Sequence, residues 1–210
     1  MDNSFKSNCK TKMKVLVACE YSGIVRDAFT SKGHDAWSCD ILPTESPGNH
    51  FQGDILEHLD KGWDLMIAHP PCTHLAVSGA RWFTEGKKPW SLQEEALDFV
   101  RKLLDAPIDK IALENPVSVI STKIRKPNQI IQPFEYGHDV TKRTCLWLKN
   151  LPNLKPTKIV KPDIVEKNGY KMSRHHWETF KLPSKIRGKV RSRFYEGIAE
   201  AMADQWGTDG

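Results

Sequence analysis

In the run His69, Pro70, Pro71, Cys72, a thiol follows two prolines and the apolar stretch WDLMIA, residues 63–68. Proline fixes φ and keeps the residue before it extended, so the chain leaves that stretch on a rigid path and presents Cys72 in a defined position. A thiolate is a strong nucleophile near neutral pH, and a cationic neighbour or a helix N-terminus enlarges its ionised fraction. Nucleophilic catalysis suits that setting; the plain alternative is a strand-end turn with a buried cysteine. Glu114, Asn115 and Pro116 end a second apolar stretch, residues 110–113. A carboxyl with little solvent around it tends to stay protonated and donate as the neutral acid, so Glu114 is expected as a proton donor. His69, Cys72 and His74 could ligate a metal, but the prolines and the missing fourth ligand do not suit a closed zinc site. No metal is expected.

These groups need elements to position them. Residues 14–19, KVLVAC, read as a short β-branched strand, followed by a helical pattern over residues 24–29 that stops at Gly33. Further strands fit residues 35–40, 63–68, 110–113 and 144–148. Residues 91–105 read as a helix, with Ser91 as N-cap and Glu94 at the capping-box position. Ile198, Met202 and Trp206 recur at four-residue spacing near the end and predict one apolar helical stripe. Strands alternating with helices imply an α/β fold: a mostly parallel sheet covered on both faces. In such sheets ligands bind beyond the carboxyl ends of the strands. The groups there are Cys19, Glu20, Tyr21, Ser22 and Gly23, then Asp40, then Gly53, Asp54 and Ile55, and finally residues 69–72. A nucleoside-containing cofactor needs close backbone approach, which Gly23 permits, and carboxylates for ribose hydroxyls and an adenine amino group, which Asp40 and Asp54 supply.

With 210 residues, the chain is expected to form one compact unit. It divides into a flexible lead-in (1–12), a core (13–150), a basic loop-rich excursion (151–190) and a C-terminal helix returning to the core (191–210). No apolar run approaches bilayer length, and the five scattered cysteines fit a reducing cytoplasm, so a cytoplasmic protein without membrane partners is expected. The formal net charge of +5 hides a segregation: residues 141–195 hold fifteen Lys or Arg against three Asp or Glu, leaving the rest of the chain at −7. Arg174, Lys185, Arg187, Lys189, Arg191 and Arg193 belong to this basic part, with Tyr170, Trp177 and Phe180 interleaved. Basic groups with stacking rings suit nucleic acid, gripping phosphates with little sequence information; for Trp177 and Phe180, packing of the excursion onto the core is an equal reading.

The ordered set ACEYSG, Asp40, GDI, PPC, ENP and TKRTCLWL resembles the cytosine-C5 DNA methyltransferases over most of residues 15–205. The resemblance implies the Rossmann-like fold of class I methyltransferases, S-adenosyl-L-methionine as cofactor and DNA as partner. It implies Cys72 as the nucleophile that adds to C6 of cytosine, Glu114 acting at N3, and Arg143 holding the base. Cofactor contacts would fall to Cys19, Glu20, Tyr21, Ser22, Gly23, Asp40, Asp54, Ile55 and Pro70. Sites for methylation of exocyclic amino groups resemble a different pattern, with an aromatic residue where Cys72 stands.

This chain departs from the family pattern in three ways. The first loop has a single glycine, ENP replaces ENV, and the stretch available for target recognition is short. The shortness implies low sequence specificity, a very short motif, or a separate target-recognition partner. Two alternatives stay open: the same fold acting on single-stranded nucleic acid or a free cytosine nucleotide, and a catalytically degenerate protein that binds DNA or a protein partner.

Overall fold

The computed structural model describes residues 11–208 apart from Asn168 and the side chains of Ser184 and Lys185. Of the lead-in expected over residues 1–12, residues 1–10 lie outside the described residues. Strands β1 (Lys14–Ala18), β2 (Asp35–Asp40), β3 (His50–Gln52), β4 (Leu65–Ala68), β5 (Lys110–Pro116), β6 (Gln129–Ile131) and β7 (Thr144–Lys149) form one sheet in the order β3-β2-β1-β4-β5-β7-β6. The first five are parallel, and β7 runs antiparallel to both of its neighbours. This is a mostly parallel, Rossmann-like α/β sheet with helices on both faces, and the expected α/β fold class stands.

Alternation along the strands explains why both faces are covered. Val15 and Val17 of β1 and Leu65 and Ile67 of β4 pack on one face, with Phe29 of α1 (Ile24–Ser31) and with Ile198, Met202 and Trp206 of α7 (Glu196–Trp206). Leu16, Ala18, Met66 and Ala68 face the other way, onto Leu97, Val100 and Leu103 of α3 (Ser91–Leu104). Each fully buried aliphatic or aromatic side chain contributes on the order of 2 kcal/mol. The predicted stripe Ile198, Met202, Trp206 is wholly buried, and Trp206 also donates its indole N–H to Pro152 O at 3.0 Å.

Three local expectations change. Ser91 does not cap α3: Trp90 is already right-handed helical, its carbonyl accepts from Glu94 N at 3.1 Å, and Ser91 lies inside the first turn. The turn begins early because Pro89 O takes Leu92 N at 3.3 Å. Strand β5 continues through Glu114, Asn115 and Pro116 because the antiparallel β7 pairs with all three, Pro116 lying opposite Thr144. The excursion expected to be loop-rich over 151–190 contains a two-stranded hairpin, β8 (Ile164–Lys167) and β9 (Tyr170–Ser173), then α5 (Arg174–Phe180). Ser173 caps α5 by accepting from His176 N at 3.3 Å. Most of the hairpin is exposed, so its residues carry no in–out alternation and the period was absent. A further helix, α6 (Ser184–Ser192), follows, and two single-turn helices, α2 (Arg81–Thr84) and α4 (Ile120–Lys123), flank α3 and β5. Among the described residues no helix is long and apolar enough to cross a membrane.

Candidate active site

Four chain segments meet at the carboxyl edge of the sheet around a cavity of about 460 Å³. Residues 19–22 follow β1, residues 69–72 follow β4, Glu114 and Asn115 come from the end of β5, and Lys142 and Arg143 precede β7. The last pair reaches the site because β7 is reversed, so its beginning lies where the parallel strands end. Asn115 Nδ2 donates to Pro70 O at 2.9 Å and ties the ENP strand to the PPC segment. Cys72 O accepts from Leu75 N and Ala76 N at 3.0 and 2.9 Å, so the chain turns sharply past the nucleophile and leaves its side chain exposed.

The electrostatics of the two central groups differ from expectation. Cys72 is open to solvent on one side, yet the surrounding protein pushes its thiol above the ordinary value; Glu114 adds to that rise and Lys142 opposes it. A cationic neighbour is therefore present, but burial and the carboxylate outweigh it. Glu114 is pushed up by burial, but the hydrogen bond and charge of His69, together with the charge of Lys142, outweigh burial and leave the carboxyl below its ordinary value. His69 Nδ1 donates to Glu114 Oε2 at 3.2 Å, with both side chains almost buried. Glu114 thus stands as a carboxylate, not as the neutral acid expected from burial alone. His69 is also packed against Phe194, ring centroids 4.6 Å apart, and its Nε2 is a buried atom without a protein partner among the described residues. Lys142 is held by its Nζ donating to Arg191 O at 3.1 Å, while Arg143 lines the same cavity.

A wider lobe of about 970 Å³ adjoins the first and shares Cys19, Tyr21, His69 and Cys72 with it. Asp40 lines this lobe. Asp54 acts on Cys19 and Cys39 alongside Asp40, raising both thiols in addition to the larger effect of burial; Cys39 is pushed up to about 11. Asp40 Oδ1 accepts from Leu42 N and Asp54 Oδ1 from Leu56 N, at 2.9 and 3.0 Å. Neither carboxylate forms an ion pair among the described residues. Ile55 lies buried beside Asp54. Cys19 has φ 60°, a left-handed conformation that costs a non-glycine residue about 1–2 kcal/mol.

Two first-loop residues are occupied by the protein itself. Glu20 accepts from Val25 N at 2.7 Å and Arg26 N at 3.2 Å, so its carboxylate satisfies the start of α1. Gly23 has φ 79°, and a Cβ there would stand 2.5 Å from Arg26 Nη2. The missing side chain therefore admits the Arg26 guanidinium, where the sequence suggested cofactor approach. Arg26 is buried and donates to Ser38 Oγ, Thr44 Oγ1, Ser46 O and Pro47 O, fastening the loop between β2 and β3.

The basic residues divide. Arg193 lines the first lobe, Arg187 and Lys189 line the second, and Arg191 lines both. Lys189 also pairs with Glu45 at 2.6 Å, and Ser192 Oγ meets Tyr21 Oη at 3.4 Å, so the end of α6 crosses the cleft as a strap. Arg174 pairs with Asp163 at 2.6 Å in the hairpin region; it is not among the residues lining either lobe. The side chain of Lys185 lies outside the described residues. His69 as the partner of Glu114, Lys142 and Arg26 were not singled out for these roles from the sequence. Lys142 carried one signal, its adjacency to Arg143, and His69 another, its place in the run that ends at Cys72; Arg26 carried none.

No protein-family model matches the chain, and no curated protein does. Among solved structures, a prophage-encoded chain from E. coli, ascribed DNA modification methyltransferase activity, is 14% identical with a TM-score of 0.45. The match covers 71% of this chain and 52% of that one, so this chain spans about half the length of that structure.

Proposed function

We propose that this protein is an S-adenosyl-L-methionine-dependent methyltransferase acting on C5 of cytosine in DNA. The observation that supports it most is the position of Cys72 on the wall common to two lobes, with Glu114, Lys142 and Arg143 in one and Asp40 in the other. Such a junction lets one thiol meet a base while a second ligand lies alongside.

Carbon 5 of cytosine is a poor nucleophile, and covalent addition at C6 makes the ring enamine-like. In this reading the Cys72 thiolate forms an S–C6 bond, and the displaced electron pair moves toward C5 and N3. Glu114 meets N3; because its carboxyl is charged in the ligand-free protein, it must take up a proton to donate there. Burial by the incoming base acts in that direction. Arg143 holds the base, and Lys142 favours the thiolate. The cofactor, when bound, supplies an electrophilic sulfonium methyl for C5; loss of the C5 proton to solvent then breaks the S–C6 bond, releasing Cys72 as the thiolate and restoring the ring. Asp40 and Asp54 fit it, since each retains a carboxylate oxygen for a hydroxyl or amino donor. Tyr21, Ser22, Ile55 and Pro70, with the backbones of Cys19, Glu20 and Gly23, would complete the contacts.

The test is Cys72→Ser. Transfer of a labelled methyl group to DNA should be abolished while calorimetric binding of the cofactor persists; undiminished transfer would overturn the assignment.

A further inference from the structure

We infer that the polymer entering this cleft is single-stranded, an inference that rests on the methyltransferase reading for its chemistry but on separate surfaces for its binding. Two basic, aromatic surfaces belong to segments that also supply the cleft: one follows Cys72 in the chain, and the other includes Arg187 and Lys189 of the wider lobe. The first begins two residues after the nucleophile, where His74, Phe83 and Trp90 form a ladder of rings with centroids 6.2 and 5.3 Å apart. Trp90 is 55% exposed. Cations stand over this surface: Arg81 and Lys87 lie 4.4 and 4.8 Å from the Trp82 ring, and Lys88 lies 5.7 Å from Phe83. Its carboxylate Glu85 pairs with Lys87 at the surface, an exposed contact of little strength.

The second surface is α5 and α6. Phe180 is 61% exposed, and the Arg187 guanidinium, which lines the wider lobe, lies 5.5 Å from its ring. Trp177 is flanked by Lys167 and Lys181 at 4.3 and 5.4 Å. The ring faces decide between strands. A duplex offers phosphates to the cations but hides the faces of its bases, so exposed rings would find nothing to stack on. An unpaired strand offers both, and stacking on aromatic side chains tolerates any sequence. It also spares the enzyme the work of extracting a base from a helix.

The test measures binding first. Mixed-sequence oligonucleotides, single-stranded and duplex, in DNA and RNA versions, are titrated against the full chain by fluorescence anisotropy. The single strand should bind more tightly than its duplex, and Trp90→Ala and Phe180→Ala should each weaken it roughly 5- to 150-fold. Thermal melts of both variants should match the parent, since both rings are largely solvent-exposed. Tighter single-strand binding in either sugar supports the inference, and the tighter of the two names the polymer. Duplex preference, or variants that bind like the parent, overturns it. Methyl transfer is then read on the same oligonucleotides. Single-strand binding without transfer overturns the methyltransferase reading alone; transfer to duplex unaffected by the two variants overturns this inference alone.

Discussion

Replacing Gly23 by alanine tests whether that glycine serves a ligand or the fold. At φ 79° a Cβ costs about 1–2 kcal/mol in backbone strain. The new methyl would stand 2.5 Å from Arg26 Nη2 and 3.0 Å from Ser46 Cβ, and Arg26 cannot swing away without losing its bonds to Ser46 O and Pro47 O. Overpacking of that kind costs about 1–3 kcal/mol more, so the total is about 2–5 kcal/mol. Urea denaturation of the ligand-free protein measures it, with the slope checked for constancy. An Arg26→Ala background supplies the control: with the guanidinium gone, the backbone strain of about 1–2 kcal/mol and the Ser46 contact remain, and the difference in cost is the coupling between the two positions. Equal cost in both backgrounds would refute the steric account. Unchanged ligand-free stability with weakened cofactor binding would return Gly23 to the role suggested by its place after the first strand.

Two further outcomes follow from the charges around Cys72. The pH midpoint for alkylation of Cys72, followed by mass spectrometry, should rise in Lys142→Met and fall in Glu114→Gln, because the cation favours the thiolate and the carboxylate opposes it; coincident midpoints would show that neither charge reaches the sulfur. The folded-state pKa of Glu114 lies below its ordinary value, so its contribution to stability is present above the ordinary carboxylate range and is lost as the pH falls through the depressed value. A series of melts across acid pH should show a shallower decline in Glu114→Gln, and an identical decline would show that the folded carboxyl is not held low.

The parallel core was legible because its strands are buried on both faces and therefore appear as short apolar runs, KVLVA and LMIA among them. Strands β3 and β6 were not, since three residues each, HFQ and QII, are too few to establish a period. Cys72 and Glu114 were found because each follows or ends such a run, and the structure brings both to one cavity. Their protonation was not legible: burial alone predicted a neutral Glu114, and the hydrogen bond that reverses it comes from His69, forty-five residues away in the chain. Arg26 was invisible for a related reason. A charged residue on a short helix reads as solvent-facing until the loop that surrounds it is known.

The reversal of β7 also dictates the route of everything after it. The strand enters the sheet beside the cleft at Thr144 and leaves at Lys149 on the opposite rim, opposite Ile111. The chain must then travel back to reach the cleft with α6, and the residues between Leu151 and Pro183 are that return journey. Leu154, buried in the core, fixes its start, and the hairpin and α5 fill the rest. Insertions there would lengthen a tether without moving Cys72, Glu114 or Lys142, which makes this segment the place where a new reading surface can be grafted. Deletions would act differently: a shortened tether would lift the strap from Tyr21 and Glu45 and unroof the cleft before any residue lining its floor was touched.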